Sequence, residues 1–284
     1  MKILLTGATG FIGSGVLSAL VAAGHHVTAL VRDPARVAPL TRVHPHRGDM
    51  RDRATVRALA ADADAVIATA SPGDATSAAA DTDFVDAVLD GLRPGATFIR
   101  TGGIWVHGSG ADLTEDSPLA PPDLVAWRVP LDARALAATG IRSMLVEPGV
   151  VFGRGRGIPA LVVGSAPVLI GPGTQHWATV HVDDLADLYV AALDHGMAGE
   201  RYLGVSGDNP TTRQLGEAAS RRLGHGGHVV AEDPADTVAR LGAFGAALLL
   251  DQRASGAKAR AELSWKPSRP TLVEELAAGG YPAA

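Results

Sequence analysis

The chain has 284 residues, a formal net charge of -5, 46% hydrophobic and 19% charged residues, and 34 glycines against 4% aromatics. That length covers one extended domain or two, and the composition suits a helix-covered sheet built from Ala, Val and Leu rather than a disordered chain. Scattered arginines on an acidic chain argue against nucleic acid as a partner. The absence of cysteine excludes disulfides, thiolate-held zinc and thiol catalysis within the chain, with a cytoplasmic location as the accompanying expectation.

Taken in chain order, the apolar stretch from residue 1 to 23 is punctuated by glycines at 7, 10, 13 and 15. It therefore reads as strand, turn and helix rather than as a signal peptide. Residues 2–5 are predicted as a strand, 7–13 as a turn and 12–23 as a helix closed by Gly24, where a left-handed cap costs glycine least. A second strand follows over 26–31, then a helix over 55–61, a strand over 65–68, a helix over 82–92 and a strand over 97–100. Beyond these come a helix over 124–138, a strand over 143–146 and a helix over 182–193. The run from 241 to 250 is too short for the ~18–20 apolar residues of a membrane span and reads as a buried helix. Strands alternating with helices predict an α/β fold, a Rossmann-type doubly wound parallel sheet. No repeat, low-complexity tract or linker separates a second domain. The expectation is a dinucleotide-binding domain over 1–146, rejoined by 174–200, with a smaller interleaved substrate lobe made of 147–173 and 201–284.

The glycines of Thr6-Gly7-Ala8-Thr9-Gly10-Phe11-Ile12-Gly13 fall directly after a strand and directly before a helix, the context a phosphate-binding turn demands. Gly7 permits the tight turn, Gly10 lets the main chain approach a pyrophosphate, and Gly13 lets the helix sit close to the sheet, while the helix N-terminus supplies amide donors and positive dipole. At the end of the second strand, a carboxylate would bind the ribose hydroxyls of NAD, whereas an arginine would accommodate the phosphate of NADP. The sequence there is Val31-Arg32-Asp33-Pro34. Arg32 favours NADP, with NAD as the alternative, and Asp33 serves equally well as the cap of a helix opened by Pro34.

These residues resemble the extended short-chain dehydrogenase/reductase family, the NAD(P)-dependent epimerase/dehydratase group. The resemblance is carried by the glycine turn, by Gly48-Asp49-Met50, Thr69-Ala70-Ser71, Glu147-Pro148-Gly149-Val150-Val151-Phe152-Gly153 and Val180-His181-Val182-Asp183-Asp184-Leu185-Ala186, and by the tail ending Glu262-Leu263-Ser264-Trp265-Lys266-Pro267. It implies a cofactor site made of Gly7, Thr9, Gly10, Phe11, Ile12, Gly13, Arg32, Asp49, Met50, Thr69, Ala70, Ser71, Thr101 and Pro148. A small-molecule substrate would meet the nicotinamide between the two lobes, and a homodimer through paired helices is the assembly found among relatives.

Family chemistry rests on a Tyr and a Lys four residues apart on one helix, with a Ser or Thr at the preceding strand end. That spacing lets the ammonium lower the phenol pKa for proton transfer. None of Tyr189, Tyr202 and Tyr281 has a Lys four residues later. In Val125-Ala126-Trp127-Arg128-Val129-Pro130-Leu131-Asp132, Trp127 stands at the Tyr position and Leu131 at the Lys position, and an indole N–H is no useful acid at neutral pH. The strand end Arg100-Thr101-Gly102-Gly103-Ile104-Trp105-Val106-His107-Gly108 keeps only Thr101 as a hydroxyl, with Gly103 at the usual Ser position. His107, replacing a Tyr that faces the substrate in many relatives, titrates near neutrality and is the candidate acid or base. The candidate catalytic set is thus His107, Thr101 and Trp127, the last as a pocket residue.

Arg128 and Asp132 have the spacing of a helical ion pair, with a substrate-anchoring Arg128 as the alternative. Arg154 and Arg156 are candidates for an anionic substrate group. His176, His181, Asp183 and Asp184 lack strict metal-ligand spacing, so no metal is expected. The leading expectation is an NADP(H)-dependent oxidoreductase acting on a small carbonyl, imine or alkene, with the proton from His107, water or the substrate itself. The alternatives are a non-redox dinucleotide-binding protein, either a lyase or isomerase or a redox-sensing module, and a nucleotide-sugar epimerase or dehydratase. No membrane partner is expected.

Overall fold

The computed structural model describes residues 1–281. The first half runs β1 (Lys2–Thr6), α1 (Phe11–Ala22), β2 (His26–Val31), β3 (Val43–Arg47), α2 (Arg53–Ala61), β4 (Ala65–Ala68), α3 (Ser77–Gly91), β5 (Thr97–Thr101), β6 (Gly110–Leu113), α4 (Asp123–Ala126) and α5 (Arg128–Leu136). There follow β7 (Arg142–Pro148), β8 (Val150–Gly153), β9 (Arg156–Gly157), α6 (Pro159–Ser165), β10 (Thr179–His181), α7 (Val182–His195) and β11 (Arg201–Gly204). The chain closes with α8 (Thr212–Arg222), α9 (Pro234–Leu248), β12 (Gln252–Ala254), α10 (Ala257–Leu263) and α11 (Leu272–Ala278).

Seven strands form one parallel sheet in the order β11-β7-β5-β4-β1-β2-β3. The direction of winding reverses between β1 and β4, so a crevice opens at the carboxyl ends of those strands, where doubly wound sheets bind ligands. Alternation along β1 sends Ile3 and Leu5 to one face, packed on Val16 and Leu20 of α1 and Leu185 and Leu188 of α7. Leu4 faces the other side, where Val56, Phe84, Val88 and Leu131 of α2, α3 and α5 cover the sheet. Each such side chain contributes about 1.5–3 kcal/mol relative to exposure, which fixes the strand ends that frame the crevice. A separate core of Phe152, Trp177, Leu215, Leu248 and Leu272 holds the smaller lobe. Outside the main sheet the strands make a β10-β8-β9 sheet and a β12-β6 pair.

One strand has no counterpart in the sequence reading, and two expectations change. The segment Val43-His44-Pro45-His46-Arg47 is the outermost strand, β3, where an edge position tolerates a proline and charges that an inner strand would not. The helix expected over 124–138 is broken at Trp127 into α4 and α5. Residues 201–204, expected in the substrate lobe, form β11 and pair with β7 in the main sheet. Among the described residues no helix is long and apolar enough to cross a membrane.

Candidate functional site

The glycine turn is built by steric exclusion. Gly7 has φ +78°, and a Cβ on Gly13 would lie 2.1 Å from the Gly7 carbonyl oxygen, so both positions are closed to any other residue. Thr69 locks the turn from β4, its hydroxyl donating to the Thr6 carbonyl at 2.6 Å. Gly10 differs, because a Cβ there would meet only the Gly7 carbonyl oxygen at 3.1 Å, so the fold alone does not exclude one. Gly10 is also the N-cap of α1, and no side chain caps that end. The first-turn amides are therefore left to a ligand, and positive dipole and free donors together suit a pyrophosphate.

Two cavities share this turn. One, of about 500 Å³, runs from Gly7 and Gly10 past Arg32, Asp49 and Met50. The other, of about 350 Å³, lies over the ends of β4, β5 and β7 and takes in Thr101 and Pro148. Phe11, Ile12, Thr69, Ala70 and Ser71 line both. All fourteen residues expected at the cofactor line one cavity or the other. Asp33 does not; its carboxylate accepts from the Ala35 amide at 3.1 Å and caps the short helical turn at Pro34. Arg32 is exposed at the groove wall, and Arg51 lines the same groove with its guanidinium donating to Thr76 Oγ1.

The catalytic candidates divide. Thr101 lines the second cavity, but its hydroxyl donates to the Ala68 carbonyl at 2.6 Å and accepts from Tyr189 Oη at 2.5 Å. Tyr189 is fully buried, and burial pushes its phenol pKa up. His107 lies outside both cavities: Nε2 is 3.2 Å from Glu147 Oε2 and Nδ1 3.3 Å from the Ser117 carbonyl. Both ring nitrogens are engaged and the side chain is closed to solvent, so the expected substrate-facing imidazole is instead part of the packing. Trp127 is also outside the cavity, its indole N–H donating to the Leu124 carbonyl at 3.2 Å. Val125 and Arg128, three residues apart on one face, line the cavity instead, and Leu131 is core.

The expected Arg128–Asp132 ion pair is absent. Asp132 Oδ1 stands 3.3 Å from Arg100 Nη1, and Arg100 Nη2 is 3.6 Å from Asp81 Oδ2. Asp81, Arg100 and Arg128 line the cavity. Burial pushes the Asp132 carboxyl up to about 6 and holds Asp81 above its ordinary range, against the pull of Arg100 in both cases. Sequence reading missed Asp81 and Arg100. The available signal was a charged residue inside the apolar strand Phe98-Ile99-Arg100, a place where an arginine persists only with partners. Arg154 pairs with Asp183, and Arg156 lies over the Phe11 ring at 5.4 Å, at the edge shared by the cavities. His176 pairs with Asp251 at 2.8 Å, and His181 Nδ1 accepts from the Asp183 amide at 3.1 Å.

Residues 7–97 match the model of a family described as NAD(P)H-binding. A 3-diazoavenalumate denitrifying reductase from a Streptomyces species is 28% identical over 97% of this chain and 99% of its own. The human epimerase family protein SDR39U1, solved with NADPH, superposes with a TM-score of 0.75 at 23% identity, covering 98% of each chain. DesIV, a dTDP-glucose 4,6-dehydratase from Streptomyces venezuelae solved with NAD, gives a TM-score of 0.79 at 23% identity, over 99% of this chain and 96% of that one.

Proposed function

From a chain that carries an N-terminal NAD(P)H-binding domain on the fold of the extended short-chain dehydrogenase/reductase (epimerase/dehydratase) family, we propose an NADP(H)-dependent reductase of a small carbonyl, imine or activated alkene. The observation that carries this reading is the second cavity. It opens directly from the dinucleotide groove, its walls are mainly apolar side chains such as Ile12, Phe84, Val85, Ile104 and Val150, and among the described residues no tyrosine or lysine lines it. Walls of that kind suit a compact, largely apolar substrate and lack the many polar groups a sugar ring would require. The phenol and ammonium on which epimerase and dehydratase chemistry relies are missing as well.

When bound, a reduced nicotinamide would supply a hydride to the electrophilic carbon. The chain's own residues would do the rest: the turn and the α1 N-terminus would hold the phosphates, Thr69 to Ser71 and Pro148 would line the way from the groove into the cavity, and the apolar lining would exclude water from the acceptor. The proton that balances the hydride comes from water, or is already on the substrate as in an iminium, since Thr101 spends its hydroxyl proton on Ala68. Arg32 and Arg51 on the groove wall, with Asp33 turned to its own cap, support NADP over NAD. Oxidation of NADPH at 340 nm against aldehydes, ketones, imines and enones tests the reading. Turnover of at least one class is expected. Tight dinucleotide binding without turnover would favour a redox-sensing or non-redox role.

A further inference from the structure

One guanidinium in the cavity wall has no counterion among the described residues. Arg128 enters from the first turn of α5, its Nη1 donating to the Gly102 carbonyl at 3.0 Å and its plane lying 5.1 Å from the centre of the Trp127 ring. These two contacts fix its direction. No carboxylate of the described residues comes within 4.0 Å of it, because Asp81 and Asp132 are both taken by Arg100. Its Nε is buried with no acceptor, and so is Nη2 of Arg100. Arg128 is half-buried, and a buried N–H left without an acceptor costs free energy unless a partner completes it. Burial, and then the neighbouring Arg100, disfavour the charge on Arg128, against the longer-range pull of Asp81 and Asp132.

We propose that Arg128, backed by Arg100, seats a carboxylate of the substrate, so that the cavity takes a small molecule with an apolar body and one carboxylate end. This rests on the reading of the cavity as the substrate site. A planar guanidinium offers parallel N–H donors that match the two oxygens of a carboxylate. Phe84, Val125 and Ile158 provide the apolar walls for the rest of the molecule. Asp81 stands beside the seat, and its carboxylate faces Arg100 Nη2 at 3.6 Å, which offsets its repulsion of a second anion.

The test is calorimetry on the full chain saturated with NADP+, which blocks turnover, using hexanoate and benzoate as probes against hexanamide and benzamide. The carboxylates are expected to bind at least about tenfold more tightly, the size of a charge-assisted contact. Arg128→Met should erase that preference while NADP+ affinity stays within about threefold, and Arg128→Lys should recover part of it. Equal binding of acids and amides by the wild-type protein overturns the proposal without any variant, so a misfolded Arg128→Met leaves it decidable. A preference that survives Arg128→Met, or a parallel loss of NADP+ affinity showing that Arg128 serves the dinucleotide, also overturns it. Turnover of neutral carbonyls with no carboxylate advantage in KM would end this proposal and leave the reductase reading intact. Carboxylate binding through Arg128 with no NADPH oxidation on any substrate would do the reverse.

Discussion

His107 Nε2 sits 3.2 Å from Glu147 Oε2, and neither side chain has exposed surface. Glu147 also accepts from Arg201 at 3.2 Å, which ties the loop after β5 to β7 and to the edge strand β11. The same carboxylate side chain bounds the strand end. A Cβ on Gly102 would lie 2.9 Å from Glu147 Cγ, so Glu147 crowds that position, whereas a Cβ on Gly103, at the usual Ser position, would meet nothing within 4 Å. His107→Ala is therefore expected to lower stability by roughly 2–4 kcal/mol, through a cavity and an acceptor left unpaired. Turnover per folded molecule should stay within about threefold of wild type, well short of the loss general-acid removal causes. Urea unfolding and kcat measured on the folded fraction check this. A hundredfold fall in kcat at unchanged stability would restore His107 to the chemistry.

Much of this arrangement is legible in the sequence, and the reasons it stops are physical. The glycine turn, the strands flanking it and the lining of the groove beside it depend on local spacing and on residues whose role is steric, so they read directly. The register of the helix after β5 does not. Trp127 and Leu131 match the family pattern by position, but Arg128 lines the cavity instead. The case for His107 rests on its side-chain chemistry, and nothing local reveals that Glu147, 40 positions away, buries it. The cluster of Asp81, Arg100 and Asp132 joins three separate elements, a relationship no sequence window contains.

Gly10→Val separates cofactor binding from folding. The fold meets a Cβ there only at the Gly7 carbonyl, 3.1 Å away, whereas Gly13 admits none. The variant should keep its circular dichroism spectrum and lose measurable dinucleotide binding by calorimetry. A folded variant that retains wild-type affinity would mean the phosphates lie elsewhere.

Arg32→Ala should weaken NADP far more than NAD, because the proposed contact with the 2′-phosphate would be a charge-assisted hydrogen bond worth about 1.5–3 kcal/mol. Asp33→Ala should alter both affinities little, since its carboxylate is committed to the Ala35 amide. Titration of the two dinucleotides against each variant decides the matter. Equal losses for NAD and NADP in Arg32→Ala would contradict the cofactor preference.

The Asp132 carboxyl, pushed up to about 6 chiefly by burial, predicts a slope in stability. Between about pH 4 and pH 6 the folded chain keeps a proton that the unfolded chain releases, so stability falls as pH rises through that window and is flat above it. The loss is on the order of 2–3 kcal/mol. Asp132→Asn cannot titrate, so the gap between it and wild type should move in favour of the variant across the same range. Denaturation curves at pH 4, 5, 6 and 7 measure this, and parallel behaviour of the two proteins would show that Asp132 stays ionised.

A hydride that crosses from the dinucleotide groove into the apolar cavity without a tyrosine to assist it can be followed most directly by isotope rather than by absorbance. NADPH carrying deuterium at the transferable position of the nicotinamide is incubated with the protein and a substrate taken from the panel, and the product is weighed by mass spectrometry. One deuterium is expected at the reduced carbon, in a yield that matches NADP+ formed and is unchanged in Tyr189→Phe. Product without deuterium, or no product from a protein that binds NADPH tightly, would contradict hydride transfer in this cavity.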